Sequence, residues 1–169
     1  MFGNLQKSRI IAFSAAFIGL ISLGAWVSVP FFPVPLTLQS LFVLLAGAVM
    51  KRYAVIPLSL YVVFGTLGLP VFHTGIAGFG ILLGPTGGYL MGFIFAALMV
   101  GLAYEHESAT IRITGLLAGT GIIYGCGVAW LMYSLTIGLI PAVLSGVLPF
   151  IPGDAIKIYA AYMIAKRLP

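Results

Sequence analysis

The amino-acid sequence predicts an all-α integral membrane protein, a bundle of six transmembrane helices with both termini cytoplasmic. Three observations lead there. Of 169 residues, 62% are hydrophobic and 7% charged, and the mean hydropathy is +1.19, a composition suited to lipid. Charges and Pro/Gly breaks divide the chain into six apolar stretches, against about 20 residues for a typical span. Seven of the eight Lys and Arg residues fall on one side of an even-span arrangement, as short cytoplasmic loops require.

The first stretch, residues 9–28, follows Lys7 and Arg9 and imitates a signal peptide. Its apolar run is long for a cleaved leader and five more follow, so a retained span is expected. The second, 37–51, is short and ends at Lys51 and Arg52, which join it to the third, 53–69. The fourth, 86–104, closes at Glu105-His106-Glu107, and Arg112 precedes the bulk of the fifth, 111–135. The sixth, 152–167, ends at Lys166 and Arg167. Connections 29–36, 70–85 and 136–151 contain no Lys or Arg and are assigned to the outer side. The last is apolar with Pro141 and Pro149, which predicts a broken or partly embedded segment. Residues 1–169 form one membrane domain with no room for a soluble one.

This composition excludes several functions. The formal charge of +5 comes from basic residues scattered at span ends rather than a polar face, so topology explains it and nucleic acid is not a partner. Cys126 is the single cysteine and reads as a packing residue. His73 and His106 have no partners at metal-ligand spacing, so no metal is expected. No Gly-Lys-Ser/Thr phosphate loop occurs, and no nucleophile, base and orienting group stand together, so the chain is not read as an enzyme.

Asp154 and Lys157 are the ionisable pair set inside the apolar sequence. A charge within a span costs about 2.5–3.5 kcal/mol on insertion scales and marks a candidate site. Their spacing places an acceptor and a donor on one helix face near the outer end of the sixth helix. Pro152 suits the helix start, and the positive end of the helix dipole favours an ionised Asp154. The competing reading is an internal ion pair that stabilises the bundle.

Three further features belong to the outer side. The loop around residues 28–39 carries stiffening prolines and Phe31 and Phe32, which suit either covering an apolar ligand or anchoring at the interface beside Trp26. Gln39 begins the second helix and reads as a cavity residue or a helix-packing amide. Residues 69–89 hold glycines at 75, 78, 80, 84, 87 and 88, compatible with a mobile cover over a ligand or with turns and close helix packing. His73 in this stretch is either solvated or a ligand contact. Small residues recur at four-residue spacing, as in Ala12 and Ala16, Ala15 and Gly19, Gly88 and Gly92, Gly115 and Gly119, and Gly121 and Gly125, which lets helices approach closely.

Three segments together resemble one family: VPLTLQSLFVLLAG at 34–47, GPTGGYLMG at 84–92 and PGDAIK at 152–157. They look like the BioY family, the biotin-specific S components of energy-coupling factor (ECF) transporters, and the resemblance runs nearly end to end. It implies an S-component-like bundle in the plasma membrane, binding biotin with no cofactor. Its partners would be a transmembrane coupling (T) subunit and two cytoplasmic ATPase subunits. By this resemblance Asp154 and Lys157 bind biotin, while loops containing Phe32, Thr37 and Gln39, and then Phe79, Gly84, Thr86, Gly87, Gly88 and Tyr89, close over it. A family amide contact in the glycine-rich loop has no counterpart, since Asn4 is the only asparagine; His73, Thr74 or backbone groups stand in its place. The small-residue face that meets the coupling subunit matches Ala12, Ala16 and Gly19.

Biotin's cyclic urea offers N–H donors to Asp154 and a carbonyl to Lys157, and its ring and tail suit an apolar cavity. Lys157 facing the carboxylate tail is an equal possibility from sequence. The alternative function is a self-sufficient, proton-coupled carrier of biotin or a related organic acid, with Asp154 titrating during transport.

Overall fold

The computed structural model describes residues 2–168. Helix α1 (Phe2–Trp26) leads into a short strand pair, β1 (Ser28–Val29) and β2 (Leu36–Thr37), followed by α2 (Gln39–Met50), a 3-10 turn (Lys51–Ala54) and α3 (Val55–Thr66). A second 3-10 turn (His73–Gly75) and the short α4 (Phe79–Leu83) precede α5 (Gly87–Ala103), α6 (Ala109–Leu135), α7 (Leu139–Gly146) and α8 (Ile151–Arg167). Six of these helices coincide with the expected stretches. The additional ones, α4 and α7, are short pieces inside the connections 70–85 and 136–151. Helix α7 is bent by 55° from α8, so the proline-bearing connection does hold a broken helical segment. Helix α3 stops short of the expected residue 69 because the chain turns at Gly68, whose φ of 108° suits glycine best.

Among the described residues, three continuous helical stretches are long and apolar enough to cross a membrane, Leu5–Trp26, Gln39–Thr66 and Ala109–Leu135, and the bent α7–α8 pair adds a fourth if it is counted as one span. The second one doubles back. Lys51 adopts φ 54° and ψ −140°, and the Gln39 side-chain amide donates to the Tyr61 hydroxyl at 2.7 Å. A straight helix would hold those residues about 33 Å apart. Helices α2 and α3 therefore form a hairpin, with Lys51 at its tip.

This tip is held against α5 by close backbone approach. A Cβ on Gly101 would lie 2.3 Å from the Lys51 carbonyl oxygen, so only glycine fits without displacing the turn. The same logic locks α5 to α6, where a Cβ on Gly88 would meet Trp130 Cβ at 2.2 Å and the Cys126 carbonyl at 2.4 Å. Of the small-residue pairs, Gly88/Gly92 and Gly115/Gly119 thus serve internal packing, whereas Gly121 and Gly125 face open space. Ile21, Leu44, Leu58, Tyr61, Phe72, Val100 and Leu116 fill the interior. Large apolar side chains such as Leu117, Phe95, Ile140 and Ile156 point outward, as lipid solvation permits.

The basic residues gather at one end of the bundle. Arg52 makes paired 2.6 Å hydrogen bonds to Glu105, joining the turn after α2 to the turn after α5. Arg112 donates to the His106 carbonyl at 2.8 Å and to Glu107 at 3.2 Å. Arg9, Lys51 and Leu168 border one cavity, which brings the start of α1 and the end of α8 to the same end. The opposite end carries the strand pair, with Ser28 facing Thr37 and Val29 facing Leu36. There the Trp26 indole donates to the Pro70 carbonyl at 3.1 Å.

Candidate functional site

The N-terminus of α8 supplies the central charges. Proline occupies the first helical turn, where its missing N–H costs nothing, and the Asp154 amide donates to the Phe150 carbonyl at 2.8 Å. The carboxylate of Asp154 therefore sits at the positive end of the helix, with Lys157 one turn further on. Their side chains are 9% and 12% exposed, and the ammonium lies 2.8 Å from Asp154 Oδ1.

Neither charge rests on the other alone. The Lys157 ammonium also donates to the Thr37 carbonyl at 2.7 Å and to Ser40 Oγ at 3.0 Å, which uses all of its N–H groups. Ser40 in turn donates to Asp154 Oδ1 at 3.1 Å, and the Tyr124 hydroxyl donates to Asp154 Oδ2 at 2.5 Å. Elements β2, α2, α6 and α8 thus converge on a single carboxylate–ammonium centre. Such mutual satisfaction is what makes charge tolerable away from water.

This centre forms the polar corner of a cavity of about 60 Å³ whose other walls include Phe72, Leu90, Phe93, Ile123 and Phe150. Thr37, Gln39, His73, Thr86 and Tyr89 also border it. Gln39 is engaged with Tyr61, whose hydroxyl donates to the Val71 carbonyl at 2.9 Å, so its amide ties α2 to the loop after α3. The Tyr89 hydroxyl donates to the Gly146 carbonyl at 2.8 Å and fastens α5 to α7. His73 is half-buried, and burial lowers its pKa below the ordinary 6.5, which favours a neutral imidazole.

The remaining expected residues lie off this cavity. Phe32 is 83% exposed and borders an open groove with Phe31, Pro33 and Thr74. Phe79 is 63% exposed and lines a separate apolar groove with Gly87, Met91 and Trp130. The Gly84 carbonyl accepts the Trp130 indole N–H at 2.9 Å, and Gly88 packs on the same tryptophan. In this conformation the glycine-rich segment is clasped to α6, and of its expected contacts His73, Thr86 and Tyr89 reach the cavity. Ala12, Ala16 and Gly19 are exposed along α1.

Ser40 and Tyr124 were not anticipated. Ser40 stands beside Gln39 in the LTLQS motif, three residues from Thr37, which was a usable signal. Tyr124 offered only a polar tip within an apolar run.

The model of the BioY family matches residues 3–169. The chain belongs to the BioY family. Among its relatives, the Biotin transporter BioY of Thermotoga maritima is 44% identical over 154 residues, covering 90% of each chain. The Probable biotin transporter BioY of Pyrococcus horikoshii is 39% identical over 164 residues, covering 96% of this chain and 98% of that one. A Biotin transporter BioY of Lactococcus lactis is 31% identical over 176 aligned positions, covering 98% and 93%. The crystal structure of the S-component for biotin from an ECF-type ABC transporter superposes with a TM-score of 0.87 at 28% identity, covering 97% of this chain and 92% of the other. The S-component fold expected from the three motifs is therefore the fold of this BioY chain.

Proposed function

We propose that this chain takes up biotin as the substrate-capturing S component of an ECF-type transporter. The observation that carries the reading is the carboxylate–ammonium centre of Asp154 and Lys157 in a cavity otherwise walled by aromatic and aliphatic groups. A cyclic urea fits it. Its N–H groups are donors for Asp154, which has about four acceptor positions and uses three in this arrangement. Its carbonyl is an acceptor for Lys157, replacing the Thr37 carbonyl or Ser40. Because Thr37 lies in β2, exchanging that bond for a ligand bond couples capture to the first outer loop.

The cavity of about 60 Å³ is well below the ~300–1,000 Å³ of typical ligand sites. Admission of biotin therefore requires the outer segments 29–36 and 70–85 to move apart and close again. His73 and Thr86 border the cavity from the second segment, so they are the residues placed to meet the ligand there. The proposal includes six spans, formed by α1, α2, α3, α5, α6 and α8, with the basic end cytoplasmic in the plasma membrane by the charge rule. It also includes a coupling T subunit, met through Ala12, Ala16 and Gly19, and two ATPase subunits, since the sequence carries no phosphate-binding loop.

Equilibrium binding of biotin to the detergent-purified chain tests the reading. Saturable binding that desthiobiotin competes for and unrelated vitamins do not is expected. A folded chain that ignores biotin would overturn it. Uptake into liposomes holding this chain alone, driven by a pH gradient, would replace the modular transporter by a self-sufficient carrier.

A further inference from the structure

A second cavity lies at the other end of the bundle. It measures about 420 Å³ and is bordered by Gln6, Arg9, Phe13, Val49, Lys51 and Tyr53, among others, between the start of α1 and the tip of the α2–α3 hairpin. Its polar rim and its apolar wall are distinct. Arg9 rests its guanidinium 5.5 Å from the Phe13 ring centroid, a cation–π contact that keeps the charge over the apolar wall. Lys51 also borders the cavity, its backbone fixed by the reversal at φ 54°.

The charge at this site has no bonded counter-ion among the described residues, although Glu105 feels Lys51 at longer range. Of the acidic residues in the chain, Glu105 is engaged by Arg52 and Glu107 by Arg112, while Asp154 lies at the opposite end. Neither Arg9 nor Lys51 has an ion pair among the described residues. Counting seven basic against two acidic side chains, this end carries a net five positive charges. The apolar wall of Ile10, Phe13 and Val49 continues along α1 and α2 toward the membrane interior.

We infer that this crevice is a binding site for an anionic phospholipid, with its phosphate between Arg9 and Lys51 and one acyl chain along Ile10, Phe13 and Val49. Basic pockets between membrane helices hold anionic lipid headgroups on this principle, and aromatic residues such as Tyr53 belong at headgroup depth. The crevice supplies both halves of an amphiphile's requirements, which a free anion would not use. By wedging between α1 and the hairpin tip, the lipid fastens the turn that Gly101 also grips.

Native mass spectrometry of the full chain, released from detergent with added phosphatidylglycerol, reads the site directly. Each cation near an anionic surface is worth about a fivefold change in binding, so Arg9→Gln with Lys51→Gln is expected to lose about 25-fold in phosphatidylglycerol retention. Phosphatidylcholine with the same chains should be retained weakly by both. The control, Lys166→Gln with Arg167→Gln, removes equal charge from the same end outside the crevice and should retain the lipid. Circular dichroism and a monodisperse gel-filtration profile establish that the variants are folded, independently of biotin binding. Equal losses in both double variants would overturn the site in favour of diffuse attraction. Displacement of the lipid by millimolar inorganic phosphate would overturn it in favour of a free-anion site. Unchanged lipid retention in the Arg9/Lys51 variant, with loss of association to partner subunits, would make the crevice a subunit contact instead.

Discussion

Two of the bundle's acid–base pairs, Lys157–Asp154 and Arg52–Glu105, stand at opposite ends and are built for different purposes. Lys157 and Asp154 are nearly buried, and each is bonded to further groups from β2, α2 and α6. Arg52 and Glu105 make a better-aligned pair, with two parallel hydrogen bonds of 2.6 Å, yet Arg52 is 61% exposed. Geometry alone would rank the second as stronger. Surroundings reverse the ranking, because water and ions compete for an exposed pair while a buried one must find every partner within the protein. On the proposed reading, the buried pair is the centre whose partners are exchanged for a ligand's, whereas the exposed one is a fastener between two turns.

The sharpest way to break this contrast is to remove the buried acid. Asp154→Ala leaves the Lys157 ammonium without its counter-charge, a lesion that costs about 3–5 kcal/mol in buried pairs. The thermal midpoint should fall clearly. Biotin binding should weaken at least about 100-fold, the equivalent of two hydrogen bonds to a charged group at about 1.5 kcal/mol each. Calorimetric titration of the folded variant at wild-type affinity would remove Asp154 from the site.

Trimming the supports asks whether the surroundings, rather than the pair, set its value. Tyr124→Phe and Ser40→Ala each delete one bond to Asp154 while leaving both charges. A loss of about 1 kcal/mol, or roughly fivefold in biotin affinity, is expected for each. The pair should be non-additive, since Ser40 also serves Lys157. Full additivity in a double-mutant cycle would mean that the two hydroxyls act on separate features.

Ser40 and Tyr124 also mark the limit of what the amino-acid order reveals. Asp154 and Lys157 were legible because ionised groups stand out in an apolar sequence. Hydroxyl groups do not, since most bond to carbonyls within their own helix, as Ser22 does to Ile18 and Thr120 to Leu116. That Ser40 instead reaches a residue 114 positions away depends on how α2 packs against α8. The six long helices could be placed from charges and breaks, whereas α4 and α7 lack a polar boundary and emerge only from packing. Phe32 and Phe79 are ambiguous for a different reason. Phe32 suits a ligand cover or the membrane interface equally well by composition, Phe79 is assigned by resemblance alone, and in this conformation both are largely exposed.

His73 provides a gentler probe of the outer end. Burial holds its pKa below 6.5, so the unfolded chain binds the proton more readily than the folded one. Its contribution is complete above that value and declines as pH falls through the lower folded value. Thermal midpoints between about pH 7.5 and 5 should drop further for the wild type than for His73→Gln. Parallel profiles would mean that the histidine is solvated.

The smallest effect is expected at the other pair, and it carries the comparison's most demanding test. The hydrogen bond from Arg52 pulls the Glu105 carboxyl below its ordinary 4.5, and Glu105 in turn raises the already high pKa of Arg52. The acid's contribution is thus present above about pH 4.5 and lost as pH falls through its folded value; the base's loss lies beyond reach at high pH. Glu105→Gln should lower the thermal midpoint less than any outer-end variant, and the difference should shrink in high salt, where exposed charges are screened. Biotin binding should not change, because the turn it fastens is separated from the cavity by the length of the bundle. A loss of biotin affinity matching that of Ser40→Ala would show that the turns at the basic end and the charge centre at the outer end move together, and the division between fastener and capture site would fail.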